Sequence, residues 1–106
     1  MRQVDKFVLD SIRDGKKTIE TRAATDRYCK IKEGDILVFV CGGEKLEKEV
    51  KKVDYYKNID EMAKAIDFKK IMPFVNSTEE MKGVYYNWTG NRDKIDKFGL
   101  AVFKLF

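Results

Sequence analysis

Hydrophobic residues along the chain recur first with a helical period and then with a strand period. Val4, Phe7, Val8 and Ile12 follow helical spacing with charges between them, so residues 4–12 predict an amphipathic helix. Gly15 ends it, with Lys16 and Lys17 just beyond. Thr18-Ile19-Glu20-Thr21-Arg22 is short and partly β-branched, and predicts a strand. Residues 23–34 are expected as a loop that closes on the Glu33-Gly34 turn. Ile36 to Cys41 is an unbroken apolar run bounded by turn signals, the pattern of a strand buried on both faces. Gly42-Gly43 then makes a hairpin. Residues 45–56 form the return strand, with a bulge where Val50 and Val53 break strict alternation.

Two capping boxes follow. Asn58-Ile59-Asp60-Glu61 opens a helix through Met62, Ala63 and Ile66, and Ser77-Thr78-Glu79-Glu80 opens another carrying Met81, Val84 and Tyr85. Residues 88–98 are expected as loop or short helix, and Leu100 to Phe106 as a final strand. The order α, β, β, β, α, α, β predicts an α+β fold, a small mixed sheet curled into a barrel with helices packed outside. An open α+β sandwich is the alternative. No repeat, linker or low-complexity segment interrupts the chain, so its 106 residues are expected to form a single domain.

Composition removes several kinds of chemistry. The chain has no histidine, which excludes Ser-His-Asp and Cys-His catalysis and any imidazole-ligated metal. Acid-base work would fall to Lys, Asp, Glu, Tyr, Cys or water. Cys29 and Cys41 are too few for a structural zinc site or a disulfide framework, and predict two reduced thiols. No cofactor or metal is expected. No apolar stretch approaches the ~20 residues that span a bilayer, and the N-terminus leads into no apolar signal core, so the expected location is the cytoplasm. The net charge is +4, and residues 13–32 account for all of it with seven basic and three acidic side chains. A local excess of this kind suits a local anionic ligand better than a long polyanion.

That window contains Asp14-Gly15-Lys16-Lys17-Thr18-Ile19-Glu20-Thr21-Arg22. Gly15 permits a turn that presents Lys17 at a helix-strand junction. On a strand, Glu20 and Arg22 share a face and hold each other in place, so the pair can aim a guanidinium fork at a ligand. A solvated edge strand with an incidental ion pair is the plainer alternative. The pattern Gly15, Lys17, Glu20, Arg22 resembles the Gly-x-Lys-x-x-Glu-x-Arg signature of ASCH (activating signal cointegrator homology) domains, of the PUA-like superfamily. Ile31-Lys32-Glu33-Gly34-Asp35 is similar to the family's Lys-x-Gly-Asp turn. Ile71-Met72-Pro73, the second capping box with Tyr85-Tyr86, and Phe98-Gly99-Leu100-Ala101-Val102 resemble its closing helix and strand.

The resemblance implies a small PUA-like β-barrel with a cleft beside it, lined by the signature and binding RNA, a nucleotide or a modified nucleoside. Some bacterial members are amidohydrolases acting on N4-acetylcytidine through a Lys, a Thr three residues later as nucleophile, and a more distant Glu. Lys17 sits at the Lys position, but Glu20 occupies the nucleophile position and Thr21 should point to the other side of the strand. The Glu position falls near 73–75, where no carboxylate stands; Glu79 and Glu80 come later. If the protein is an enzyme, Lys17 and Glu20 are the candidate catalytic pair, for an amidohydrolase or a ribonuclease. A protein-interaction module is the third class. The candidate ligand-binding residues are Gly15, Lys17, Glu20, Arg22, the basic loop residues Arg27 and Tyr28, and Trp88 as a stacking platform.

Overall fold

Leu100–Leu105 (β5) reads Leu-Ala-Val-Phe-Lys-Leu, and five of these six residues are buried in the computed structural model. The structure describes residues 2–3, 5–87 and 90–105. A strand buried on both faces needs a covered sheet on each side, and the surrounding elements supply it. These are β1 (Arg2–Gln3), α1 (Lys6–Arg13), β2 (Ile19–Ala23), α2 (Asp26–Cys29), β3 (Ile36–Cys41), β4 (Glu44–Tyr56), α3 (Ile59–Ala65), α4 (Phe68–Ile71), α5 (Thr78–Tyr86) and α6 (Asn91–Phe98). The strand order is β1-β3-β4-β5-β2, antiparallel except for the β1-β3 pair. The sheet curls into a half-barrel with helices against it, the α+β architecture anticipated from the sequence.

The alternation of β5 divides the core in two. Leu100 and Val102 face one side and pack with Ile19, Ile59, Met62, Ile71, Met81, Tyr85 and Ile95, which come mainly from the C-terminal helices. Ala101, Phe103 and Leu105 face the concave side, which Leu9 and Ile12 of α1 fill together with Phe39 and Val50. Each fully buried aliphatic or aromatic side chain contributes about 1.5–3 kcal/mol of transfer free energy.

Local signals place most boundaries. Asn58 Oδ1 accepts from Glu61 N–H at 2.9 Å and Ser77 Oγ from Glu80 N–H at 3.1 Å, as the two boxes require. Cys41 pairs with Glu44 across Gly42-Gly43, and Gly42 takes φ +58°. The register slips between Val50 and Lys52, where the bulge was expected. Gly99 is held more tightly. Its φ is +78°, and a Cβ there would lie 2.7 Å from the Tyr56 carbonyl oxygen.

Three expectations change. Residues 23–34 contain the helical turn α2, and α4 occupies a stretch with no helical periodicity of its own. Ile36–Cys41 is not buried on both faces. Only Phe39 is buried, and Ile36 is 50% exposed. The reason is position. β3 lies next to the two-residue β1, while the C-terminal helices pack toward β2 and β4.

Candidate functional site

Leu105 N–H donates to Thr18 O at 2.9 Å, and Ala24 N–H to Gly99 O at 2.9 Å. Antiparallel hydrogen bonding alternates, so the backbone groups of Glu20 and Arg22 turn toward β5. Those of Ile19 and Thr21 turn to the free edge of β2. An edge strand presents unpaired N–H and C=O groups that must be satisfied. In β2 the side chains of the signature do this. Lys17 Nζ donates to Ile19 O at 2.8 Å, and Glu20 Oε1 accepts from Thr21 N–H at 2.9 Å. The ammonium lies 3.9 Å from that same Oε1, and both side chains are nearly buried. Lys17 Nζ also donates to Ile71 O, and Thr18 N–H to Lys70 O at 3.0 Å, so the end of α4 is tied to the start of β2.

Past this capped edge a cavity of about 340 Å³ opens on the concave side. Glu20 and Arg22 line it from β2, Arg27 and Tyr28 from α2, and Phe39 and Phe103 from the sheet behind. Ile31 and Asp35 to Val38 complete the wall. Glu20, Phe39 and Phe103 are its buried members, Arg22 is half-buried, and Arg27 and Asp35 are exposed at the rim. The Tyr28 ring joins the two arginines. Its centroid is 5.6 Å from Arg22 Cζ and 5.4 Å from Arg27 Cζ, within cation–π range. Asp35 Oδ2 accepts from Lys32 N–H at 2.9 Å, which folds the turn at Gly34-Asp35. Two carboxylates and two guanidiniums thus line a space large enough for a nucleobase and its sugar.

The structure brings four of the sequence candidates together here: Glu20, Arg22, Arg27 and Tyr28. Lys17 stands behind the wall, its ammonium engaged by two carbonyls and Glu20, and Gly15 forms the exposed turn at φ +80° after α1. Neither lines the cavity. Trp88 lies outside the described residues. Sequence reasoning missed Phe39 and Phe103 as cavity walls. Phe103 is placed by its pairing with Glu20 in the β2–β5 register and Phe39 by the position of β3, both non-local facts. Asp35 was legible as a turn residue, though not as a cavity residue.

The other face of β2 has different chemistry. Thr21 Oγ1 meets the Tyr85 hydroxyl in the helix-side core, where Thr21 is 3% exposed. Its hydroxyl is therefore turned away from the cavity, as strand alternation requires. Glu80 Oε2 accepts from Asn76 N–H at 2.8 Å at the start of α5, and Glu79 is 84% exposed beside Lys82. Neither carboxylate lines the cavity. Among the described residues, no group of three or more Cys, Asp or Glu could hold a metal ion, and no helix is long and apolar enough to cross a membrane. Cys29 and Cys41 are free thiols.

Comparison with known proteins agrees with the signature. The crystal structure of hypothetical protein PH0355 has a TM-score of 0.85 at 28% identity, covering 98% of this chain and 94% of that one. The solution NMR structure of protein PF0455 from Pyrococcus furiosus has a TM-score of 0.79 at 29% identity, covering 98% and 92%. No curated protein matches. The ASCH domain family model matches residues 4–104, nearly the whole chain. With its small PUA-like α+β fold and its Gly-x-Lys-x-x-Glu-x-Arg strand, the chain belongs to the ASCH domain family.

Proposed function

We propose that the protein binds RNA, or a nucleotide or modified nucleoside, in the cavity between β2, α2 and β3. The observation that carries this is the meeting of Glu20, Arg22, Arg27 and Tyr28 around one concavity. Guanidinium forks suit phosphate and base carbonyl oxygens, and an aromatic ring suits a base face. In this reading Lys17 positions Glu20 and the β2 edge and does not itself contact the ligand. A hydrolase of the N4-acetylcytidine type finds less support, because the hydroxyl of Thr21 is on the opposite face and Lys17 is engaged by backbone carbonyls.

Equilibrium titration with short single-stranded RNA, mononucleotides and nucleosides at low salt tests the reading. Arg22→Ala and Arg27→Ala should each weaken binding about tenfold or more. The salt slope should fall by about one for each phosphate that a variant no longer neutralises. Unchanged affinity in both variants overturns the site. Turnover of N4-acetylcytidine that disappears in Lys17→Ala would move the protein to the enzyme class.

A further inference from the structure

A second concavity, of about 600 Å³ and more open, adjoins the first at Ile31, which lines both. Val53 and Tyr55 line it from β4, and Lys30, Lys32 and Glu33 from the chain between α2 and β3. Val53 pairs with Phe103 and Tyr55 with Ala101, and residues paired across antiparallel strands share a face. Both therefore lie on the concave side of the sheet, as the first cavity does. Tyr55 is 53% exposed, and its hydroxyl donates to the Cys29 carbonyl at 3.1 Å, so the ring is held while much of its surface is left to solvent. A ring fixed beforehand loses little freedom when a base stacks on it. Lys30 and Lys32 are exposed, and among the described residues neither ammonium is engaged in an ion pair. Lys30 closes α2 in helical conformation, three residues after Arg27. At that spacing Cβ atoms lie about 5–6 Å apart on one helix face. A cation at the mouth of the first cavity and one at the second thus stand side by side, placed for successive phosphates of one chain. Glu33 offsets one of the two lysine charges and leaves the second concavity net positive.

We propose that the second concavity takes the nucleotide next to the one in the first cavity, with Tyr55 stacking on its base and Lys30 and Lys32 holding its phosphate. The ligand is then a single-stranded RNA and not a free nucleotide, because a mononucleotide in the first cavity leaves these three residues unused. The inference rests on the binding reading above and adds a subsite and a substrate class to it. Every base has a face that can stack, so this subsite adds affinity without choosing a base. Double-stranded RNA cannot use it, since its bases are paired and stacked within the helix.

The test is calorimetric titration of UMP and the dinucleotide pUpU into wild type, Tyr55→Ala, Tyr55→Phe and the double variant Lys30→Ala/Lys32→Ala. Circular dichroism checks that each variant folds. In wild type pUpU should bind about tenfold or more tighter than UMP. Tyr55→Ala should abolish most of that gain and leave UMP affinity unchanged, whereas Tyr55→Phe, which keeps the ring, should retain most of it. The lysine variant should lower the salt slope for pUpU by about one, for the second phosphate, and leave the slope for UMP as it was. Equal affinity of wild type for pUpU and UMP overturns the inference and leaves the first cavity standing. A dinucleotide gain that survives Tyr55→Ala does the same. Should Tyr55→Ala not fold, the lysine variant decides, and an undiminished gain and salt slope there overturn the inference. Absence of binding by both ligands would instead remove the first cavity, and the subsite with it, a distinguishable failure.

Discussion

The two faces of β2 carry opposite kinds of polarity. On the helix side Ile19, Thr21 and Ala23 are buried among apolar side chains, and the one polar group, the Thr21 hydroxyl, meets the Tyr85 hydroxyl. On the concave side Glu20 and Arg22 border a cavity and are surrounded by other charged and aromatic groups. The difference shows that one five-residue strand can serve both as core and as site wall, because alternation separates the two sets by the thickness of the sheet. Lys17 and Glu20 connect them. Their side chains satisfy the exposed edge of β2, so residues of the family signature hold the strand in place as well as bordering the cavity.

Lys17→Met tests this contrast between the faces most severely. It removes a buried cation from beside the Glu20 carboxylate and takes a donor from the carbonyls of Ile19 and Ile71. Loss of one partner of a buried pair costs about 3–5 kcal/mol. Urea denaturation should therefore show a large fall in midpoint. A variant of wild-type stability would mean that the edge does not need its cap. Tyr28→Ala acts on the concave side alone. It should reduce ligand affinity by about 1–3 kcal/mol if the ring stacks on a base, read by titration. Intact affinity would remove Tyr28 from the site.

Tyr85→Phe acts on the opposite face. It leaves the Thr21 hydroxyl without the Tyr85 hydroxyl and should lower stability by about 1–2 kcal/mol in denaturant unfolding. Ligand affinity should not change, and a change would show that the two faces are coupled.

The smallest effect belongs to the exposed pair Lys6–Glu44, 2.8 Å apart. The hydrogen bond from Lys6 lowers the Glu44 carboxyl below its ordinary 4.5. Its contribution is therefore present above pH 4.5 and is lost as pH falls through the lower folded value. The reciprocal bond raises Lys6 above 10.5, so that contribution is present below pH 10.5 and fades as pH rises further. Thermal unfolding of Glu44→Gln should match wild type closely at neutral pH, because exposed pairs are screened by solvent and salt. A clear drop in midpoint would give this surface cluster a structural weight that its exposure does not suggest.

Much of this was legible in the chain before folding, and the parts that were not share a cause. Asn58 and Ser77 announced their helices because capping is settled within four residues. Gly42-Gly43 announced the hairpin for the same reason. The helical turns α2 and α4 escaped notice because each is four residues long, too short for a period to show. The apolar run Ile36–Cys41 announced a strand correctly. It misled about burial, since what covers a strand is decided by elements far away in sequence.

The signature divides along the same line. Strand alternation alone put Glu20 and Arg22 on one face and Thr21 on the other, because side-chain direction in a strand is a property of the local backbone. Only the tertiary structure decided which face would be core and which would border a cavity. It also set the Lys17 ammonium against the carbonyls of Ile19 and Ile71 at the edge of β2. That outcome depends on the carbonyl of Ile71, 54 residues further along the chain, arriving beside β2. No local pattern encodes such an arrival, because it follows from the packing of the C-terminal helices against β2 and β5.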